Sequence, residues 1–277
     1  MRRWLVLAVL GLVVLRGRCS HERAPLRFAT WNIEDFPKDA RQIATAFDEL
    51  ATLDASFIAV QEITDPALFT REAKLRLGDT WELATGDTRP YLDPYVDHHI
   101  GVLFDRRRWA LVSIAVHDDT RAGRHKPALE VRLAPVGGGE VVRIVVVHFR
   151  SGGENETIRA AQLRGLAAIL RRVQPSGERV VVLGDFNATG DVDRRGIAEV
   201  ARQAGLTWAT EGLACSAFWR RADDCPRSRL DHVLTWQAPA TVTAKGECER
   251  AGCADTDRCP LYAREVSDHC PVVVTLD

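Results

Sequence analysis

The chain has 277 residues, of which 46% are hydrophobic and 27% are charged, and its formal net charge is −1. This composition is ordinary for a globular protein and is sufficient for one large domain or two small ones. A charge so close to zero excludes the bulk positive field by which a strongly basic nucleic-acid-binding protein is recognised.

The N-terminal segment, residues 1–19, has the pattern of a secretory signal peptide. Two arginines precede an apolar run at residues 4–15, which is too short to span a bilayer comfortably. Removing residues 1–19 removes four arginines and no acid, so the net charge changes from −1 to −5. The end of the segment, Arg16-Gly17-Arg18-Cys19, lacks a small-residue cleavage site. A lipidated Cys19 and an uncleaved signal anchor therefore remain alternatives to cleaved export.

Cysteine usage favours export. Of the seven cysteines, six follow the leader and all lie in the last quarter of the chain, at positions 215, 225, 248, 253, 259 and 270. An even, clustered set in an exported chain predicts disulfides, and Cys215–Cys225 is the simplest pairing. The alternative is a zinc site, because Cys248 and Cys253 approach metal-ligand spacing, but no histidine follows at a suitable interval.

In chain order, strand-like runs alternate with segments of helical periodicity. The predicted strands are residues 26–31, 57–60, 100–104, 109–116, 128–133, 141–147, 180–183, 230–236 and 271–274. The predicted helices are residues 38–50, 156–173 (stopped by Pro175) and the stretch from Gly190 to Gly205. Residues 212–265 otherwise show little periodicity. No internal repeat or linker interrupts the pattern, which predicts one α/β domain over residues 20–277.

Polar, ligand-capable residues stand at the ends of six predicted strands. They are Asn32, Glu62, His148, the pair Asp185 and Asn187, Asp231, and the pair Asp268 and His269. Each one alone is more often a solvated loop residue, a cap or a satisfied histidine. Together they predict convergence at one sheet edge. Carboxylate, amide and imidazole groups are what the metal-assisted attack of water on a phosphate ester requires.

Taken in order, the motifs resemble the endonuclease/exonuclease/phosphatase superfamily. The matching stretches are Thr30-Trp31-Asn32, Val60-Gln61-Glu62, Val147-His148-Phe149-Arg150-Ser151, Gly184-Asp185-Phe186-Asn187, Leu230-Asp231-His232 and Ser267-Asp268-His269. They cover essentially the whole chain after the leader. The resemblance implies a four-layer sandwich, in which two packed mixed β-sheets are flanked by helices and the active site lies at one end.

The resemblance also implies a role for each residue. Glu62 resembles the principal Mg²⁺ ligand, with Asn32 beside it and Asp268 as a further carboxylate. His269 resembles the imidazole that acts on the attacking water, oriented by Asp231. Asp185 and Asn187 resemble the pair that positions the nucleophile and the phosphate, and His148 resembles a second histidine that contacts a phosphate oxygen or assists the leaving group. A glutamate orients that histidine in some members; here the comparable strand begins Asp97-His98-His99-Ile100. Mn²⁺ could replace Mg²⁺, and Ca²⁺ could serve as an auxiliary ion.

The substrate expected first is nucleic acid, DNA or RNA, cut by a secreted nuclease. The candidate contacts are Arg150, the Arg106-Arg107-Arg108 turn, and the aromatic and cationic residues Trp219, Arg220 and Arg221. A core-packing Trp219 with solvated arginines is the alternative for that segment. A phosphatase or a phospholipid phosphodiesterase (sphingomyelinase-like), and a catalytically silent binding protein, are the other functions weighed. The sequence implies no protein partner and predicts a monomer, with membrane association only through an uncleaved or lipidated N-terminus.

Overall fold

Two six-stranded β-sheets are stacked face to face, with helices on both outer surfaces. The computed structural model describes residues 25–89, 98–219, 225–255 and 258–277. Helices α1 and α2 (bounds below) cover one sheet, and α3 and α4 cover the other. The predicted four-layer sandwich is therefore confirmed. The predicted leader lies outside the described residues.

The elements have the following bounds. The strands are β1 (Leu26–Phe36), β2 (Phe57–Ile63), β3 (Trp81–Thr85), β4 (His99–Asp105), β5 (Trp109–His117), β6 (Ala128–Pro135), β7 (Val142–His148), β8 (Arg179–Asp185), β9 (Thr207–Trp208), β10 (Ala217–Phe218), β11 (Arg227–Ser228), β12 (Asp231–Thr235), β13 (Thr241–Ala244) and β14 (Val272–Leu276). The helices are α1 (Ala40–Thr52), α2 (Pro66–Leu77), α3 (Glu156–Val173), α4 (Asp191–Gln203), α5 (Glu247–Arg250) and α6 (Leu261–Glu265). Within the described residues, no helix combines the length and the hydropathy needed to cross a membrane.

Both large sheets are mixed. Sheet A has the order β13-β14-β1-β2-β4-β3, and sheet B has the order β5-β6-β7-β8-β12-β9. Each contains one parallel pair, β1 with β2 in sheet A and β7 with β8 in sheet B, and the other neighbours are antiparallel. A small hairpin of β10 and β11 lies outside both sheets.

The valine-rich strands are buried on both faces, which explains their unbroken apolar sequences. In β8, Val181 and Leu183 point into the core between the sheets, whereas Val180 and Val182 pack under α3 and α4. Successive side chains of a strand point to opposite faces, so a strand covered on both sides has no polar positions until it ends. The polar residues are consequently displaced to the strand ends, where the candidate site lies.

The last quarter of the chain departs from the sequence prediction. Its six cysteines form the disulfides Cys215–Cys253, Cys225–Cys259 and Cys248–Cys270. The predicted Cys215–Cys225 pairing is wrong, because the partners come from segments that are distant in sequence but pack in one small core. Disulfide formation uses all six thiols and leaves no zinc site among them. Within residues 212–265 the predicted strand at 230–236 corresponds to β12. Helix α2, strands β3 and β9, and the short elements β10, β11, β13, α5 and α6 were not predicted, since their apolar patterns are brief or irregular.

Candidate active site

Both sheets present their polar strand ends at the same end of the sandwich. The carboxyl ends of the parallel strands β1 and β2 in sheet A, and of β7 and β8 in sheet B, lie there. They are joined by the amino ends of the antiparallel strands β4, β12 and β14. This topology brings together all eight residues predicted as catalytic or metal-binding: Asn32, Glu62, His148, Asp185, Asn187, Asp231, Asp268 and His269.

His269 comes from the segment before β14 of sheet A and contacts carboxylates from both sheets. Its Nδ1 is 2.8 Å from an oxygen of Asp231, and its Nε2 is 3.7 Å from Asp185 Oδ2 and 3.9 Å from Asp268 Oδ1. His269, Asp185 and Asp231 are buried. Because Asp231 fixes one ring nitrogen, the other is directed towards the remaining carboxylates.

The backbone of His269 is fixed as firmly as its ring. Its N–H donates to Ser267 Oγ (3.0 Å), and that hydroxyl donates to the carbonyl of Asn32 (2.7 Å). The indole N–H of Trp31 donates to the carbonyl of His269 at 3.1 Å. The next residue, Cys270, is joined by a disulfide to Cys248. The imidazole is therefore tied both to sheet A and to the disulfide core.

The turn after β8 orients Asp185. The backbone N–H of Asn187 donates to Asp185 Oδ1 and its side-chain amide donates to Asp185 Oδ2, both at 2.8 Å, while the same amide also donates to the carbonyl of Phe149. Gly184 is required before this turn, because a Cβ there would lie 2.0 Å from the carbonyl oxygen of Val147 on the neighbouring strand. The Gly-Asp-Phe-Asn sequence thus allows β8 to pack closely against β7, and it then places Asn187 where it donates hydrogen bonds to both oxygens of the Asp185 carboxylate.

Asn32 and His148 each lie close to the carboxylates of both Glu62 and Asp185. The amide nitrogen of Asn32 donates to Glu62 Oε1 (3.0 Å) and to Asp185 Oδ2 (3.2 Å), and its oxygen accepts from the backbone N–H of Glu34. Nε2 of His148 is 3.4 Å from Glu62 Oε1 and 3.6 Å from Asp185 Oδ2. Asn32 therefore orients the two carboxylates through its nitrogen.

Two residues of this cluster were not predicted as members. Asp35 donates its backbone N–H to Glu62 Oε2 at 3.2 Å, and its carboxylate lies 2.6 Å from Nε2 of His98. The His98 ring stacks on His148 with a centroid separation of 6.5 Å. The ligand atoms of Asp35, Glu62 and His98 lie within 4.8 Å of one another, close enough to hold one metal ion. The acidic pair Glu34-Asp35 and the histidine pair His98-His99 at the start of β4 were the available signals, and Asp97 lies outside the described residues.

Backbone strain is concentrated at this site. Seven described non-glycine residues have positive φ, and four of them line the cavity of the site: Glu34, Asp35, Glu62 and Asn187. Left-handed conformations cost free energy in non-glycine residues and persist where the surroundings enforce them, as in active sites. At this site the four residues are three acids and one amide, all of which line the cavity.

Burial and neighbouring charges shift the pKa values of three residues in the site. Burial raises the pKa of Asp185 to about 7, against the opposing effect of His269. Burial lowers the pKa of His148 well below 6.5, and the nearby Lys126 lowers it further. Burial also opposes protonation of His269, but the carboxylates of Asp231 and Asp185 outweigh it and raise that pKa well above 6.5. Shifts of this kind in a cleft are typical of functional sites.

A buried arginine joins the loops that follow β7 and β8. Arg159 of α3 forms a bidentate ion pair with Asp193 at 2.9 Å and donates to the carbonyls of Arg150 (3.1 Å) and Gly152 (2.6 Å). It also donates to the hydroxyl of Thr189. These bonds fix the backbone immediately after His148 and Asn187, although Arg159 itself is not among the residues lining the cavity.

The cluster opens into a cavity of about 620 Å³. Arg150 and Trp219, both predicted to contact substrate, line it, and 47% of Trp219 is exposed. Arg220 and Arg221 lie outside the described residues. The Arg106-Arg107-Arg108 turn follows the far end of β4, whose other end carries His99 beside the site. The expectation that this turn contacts substrate is therefore wrong, because it lies at the opposite end of the sandwich.

Comparisons with known proteins agree with this geometry. The model of the Endonuclease/Exonuclease/phosphatase family matches residues 29–269. The chain belongs to this family. No curated protein sequence matches it significantly.

Several solved structures of the family share the fold. A complex of D. rerio TDP2 with a single-stranded DNA product has a TM-score of 0.70 at 16% identity, covering 92% of this chain and 99% of that one. The human Nocturnin catalytic domain with bound sulfate has a TM-score of 0.67 at 19% identity, covering 91% and 94%. A Bacteroides vulgatus endonuclease/exonuclease/phosphatase protein has a TM-score of 0.65 at 16% identity, covering 92% and 99%. Members of this superfamily are metal-dependent phosphoester hydrolases, and the chain is such an enzyme.

Proposed function

We propose that this family member is an exported, Mg²⁺-dependent phosphodiesterase that hydrolyses nucleic acid. The observation that carries the proposal is the convergence of His269, Asp185 and Glu62 on one cavity, with each side chain held by a separate partner. Asp231 holds the first, Asn187 the second, and Asn32 bonds to both carboxylates.

The donor set suits a hard divalent cation. Glu62 and Asp268 are partly exposed to the cavity, with 16% and 26% of their side chains accessible, so an ion bound there would keep several waters. Mg²⁺ prefers one or two carboxylates and retained water, and Mn²⁺ or Ca²⁺ accept similar oxygen ligands. We assign Glu62 and Asp268 as ligands, with Asn32 orienting Glu62 and Asp35 adjoining the same carboxylate. When bound, the ion offsets the negative charge of the phosphate.

The protein's own groups supply the proton transfer. Nε2 of His269 and the carboxylate of Asp185 face the same space, and in this proposal one of them takes a proton from the attacking water. Asp231 keeps the His269 ring in a single orientation. His148 remains neutral at physiological pH because burial lowers its pKa, so its Nε2–H is assigned as a hydrogen-bond donor to a phosphate oxygen or to the leaving group.

Nucleic acid is the proposed substrate because the cavity combines the catalytic cluster with cationic residues and the half-exposed Trp219. Cationic groups bind the phosphate backbone, and aromatic rings stack on bases. Arg220 and Arg221 are proposed to assist. Three disulfides support export to an oxidising compartment. Sequencing the N-terminus of the exported protein tests cleavage after the leader, and an intact Met1 on cytosolic protein would contradict it.

The test of function is a substrate panel with the oxidised protein. Supercoiled plasmid, single-stranded DNA, RNA, an inositol phosphate and sphingomyelin vesicles would each be incubated with Mg²⁺ or with EDTA. Hydrolysis of plasmid or oligonucleotide in Mg²⁺ alone supports the proposal. Hydrolysis confined to the small phosphate ester or the lipid would overturn the nuclease assignment, and inactivity on all five would favour a catalytically silent binding protein.

A further inference from the structure

The charged residues lining the cavity are segregated between the two sheets. Four of its five acids come from segments of sheet A: Glu34, Asp35, Glu62 and Asp268. Four of its five lysines and arginines come from segments adjoining strands of sheet B: Lys126, Arg150, Arg194 and Arg229. The fifth, Arg227, lies in β11 of the small hairpin, shortly before β12. Among the described residues, Asp185 is the one acid on the cationic side of the cavity.

The cations follow the strand order of sheet B. Lys126 precedes β6, Arg150 follows β7, Arg194 lies in α4 directly after β8, and Arg229 precedes β12. Strands β6, β7, β8 and β12 are consecutive neighbours in the sheet. With strands about 4.8 Å apart, this row extends roughly 14 Å across the strand ends. It is therefore longer than one phosphate group and passes beside His148 and Asp185.

The end of the row near β12 is rigid and strongly cationic. Arg229 donates to the carbonyls of Glu211 and Leu213, and its guanidinium lies 5.7 Å from the centre of the Trp208 ring. Arg194 and Arg229 line the same cavity, and burial together with the charge of Arg194 lowers the pKa of Arg229. An anion bound between them would relieve the repulsion between their charges.

An aromatic residue accompanies this end of the row. Trp219 donates its backbone N–H to the carbonyl of Pro226, directly before Arg227, and its half-exposed side chain lines the same cavity. Arg227 is itself fixed by a bond from its guanidinium to the carbonyl of Cys253 at 2.8 Å. A base-stacking ring beside an anchored phosphate-binding group is a recognised arrangement for single-stranded nucleic acid.

We propose that the row from Lys126 to Arg227 is a phosphate track for one nucleic-acid strand. The backbone of the strand crosses the ends of β6, β7, β8 and β12, so the scissile phosphate lies at His148 and Asp185. A flanking phosphate lies at Arg194 and Arg229, and an adjacent base lies on Trp219. This inference rests on the proposed function. It adds the path of the nucleic-acid strand across the protein and the residues that bind the phosphates flanking the one that is cleaved.

Arg194 is the best position for a test, because its side chain is on the surface of α4 and pairs only with the exposed Asp191 among the described residues. The matched control is Arg195, the exposed neighbour on the same helix that does not line the cavity. Arg194→Ala, Arg195→Ala and the double variant Arg194→Ala/Arg227→Ala would be assayed on a ten-nucleotide single strand and on bis(p-nitrophenyl) phosphate, which has one phosphate and no flanking ones.

We expect Arg194→Ala to lower kcat/KM for the oligonucleotide at least fivefold. The slope of log kcat/KM against log salt should shrink by about 0.7, the value for one phosphate contact on a single strand. The double variant should lose more and change the slope by about 1.4, twice that amount. Hydrolysis of bis(p-nitrophenyl) phosphate should stay within twofold of wild type in every variant, and Arg195→Ala should match wild type on both substrates.

The possible results distinguish an error in the phosphate track from an error in the proposed function. An unchanged oligonucleotide rate and salt slope in Arg194→Ala would overturn the track while leaving the phosphodiesterase intact. Equal losses on both substrates, or the same loss in Arg195→Ala, would also overturn it. If the wild-type protein hydrolyses bis(p-nitrophenyl) phosphate but no oligonucleotide, the nucleic-acid track is wrong. If it hydrolyses neither, the proposed function fails and the track fails with it.

Discussion

Nδ1 of His269 and a carboxylate oxygen of Asp231 lie 2.8 Å apart, although the two residues are 38 positions apart in the sequence. Asp231 opens β12 of sheet B, whereas His269 precedes β14 of sheet A. The pair therefore forms only when the two sheets are stacked. It fixes the ring that faces Asp185 and couples assembly of the core to assembly of the site.

Replacing Asp231 by Asn tests this pairing. The amide keeps the shape of the side chain but removes its charge, so the pKa of His269 should fall towards its ordinary value and the ring should be a weaker base. We expect kcat to fall by about 10²–10⁴ with little change in KM. Steady-state kinetics measures the loss, and an NMR titration of metal-free protein measures the pKa. Full activity in a variant with unchanged circular dichroism would exclude a catalytic role for the pair.

The Arg159–Asp193 pair should be important for both stability and activity. Arg159→Met leaves Asp193 buried without its partner and should cost about 3–5 kcal/mol in the free energy of unfolding. The double variant Arg159→Met/Asp193→Asn removes the buried charge. The amide oxygen of the new asparagine side chain can still accept hydrogen bonds from the N–H groups of Thr189 and Gly190, so at least half of the lost stability should be recovered. Urea unfolding measures both changes.

Activity should not recover in the same double variant. The carbonyls of Arg150 and Gly152 lack their donor in both variants, so the loop after His148 loosens and kcat should remain about tenfold low. Wild-type kcat in the double variant would mean that the arginine has a purely structural role.

The disulfide next to His269 should affect catalysis more than a disulfide farther from it. Replacing both cysteines of Cys248–Cys270, or both of Cys225–Cys259, by serine should cost each protein about 3–4 kcal/mol, because the loops closed are of similar length, 22 and 34 residues. Only the first change frees the residue adjoining His269, so it should lower kcat severalfold more than the second. Equal activities at equal stability would refute this link.

His232 should make the protein less stable in mild acid. Burial lowers its pKa to about 3, with Arg229 and Arg194 contributing, and the ring accepts a hydrogen bond from the indole of Trp208 at 3.2 Å. The unfolded chain, with a pKa near 6.5, binds the extra proton between pH 6.5 and 3, so stability is complete above pH 6.5 and falls as the pH is lowered. At pH 5 the loss is about 2 kcal/mol.

The control for this prediction is His232→Gln, which cannot titrate but still offers an acceptor to Trp208. The difference in unfolding free energy between wild type and variant should move by about 2 kcal/mol in the variant's favour from pH 7 to pH 5. Urea unfolding at both values measures it. A difference independent of pH would show that His232 does not titrate in this way.

The residues predictable from the sequence are those at the ends of long strands. Val180 to Leu183 marks a strand covered on both faces, and the first polar residue after it, Asp185, must then emerge at the sheet edge. The same reasoning locates Glu62, His148 and Asp231. A regular period of two residues and a topology that aligns the strand ends were sufficient for these positions.

The residues that escaped prediction depend on irregular backbone and on distant packing. Asp35 reaches Glu62 because two consecutive residues, Glu34 and Asp35, adopt left-handed conformations, which no periodicity reveals. His98 contributes through stacking on His148, across the two sheets. The disulfides join segments whose proximity follows from the fold around β10 and β11, so spacing along the chain favoured the wrong pair.

Mg²⁺-dependent plasmid nicking by Asp185→Asn and by His269→Ala, measured beside wild type and the remote control Arg107→Ala, tests most directly whether this cavity is the active site. We expect each active-site variant to lose at least about 10²-fold in rate with unchanged circular dichroism, and we expect Arg107→Ala to retain full activity. Near-wild-type nicking by both purified active-site variants would contradict the assignment of this cavity as the site of phosphodiester hydrolysis.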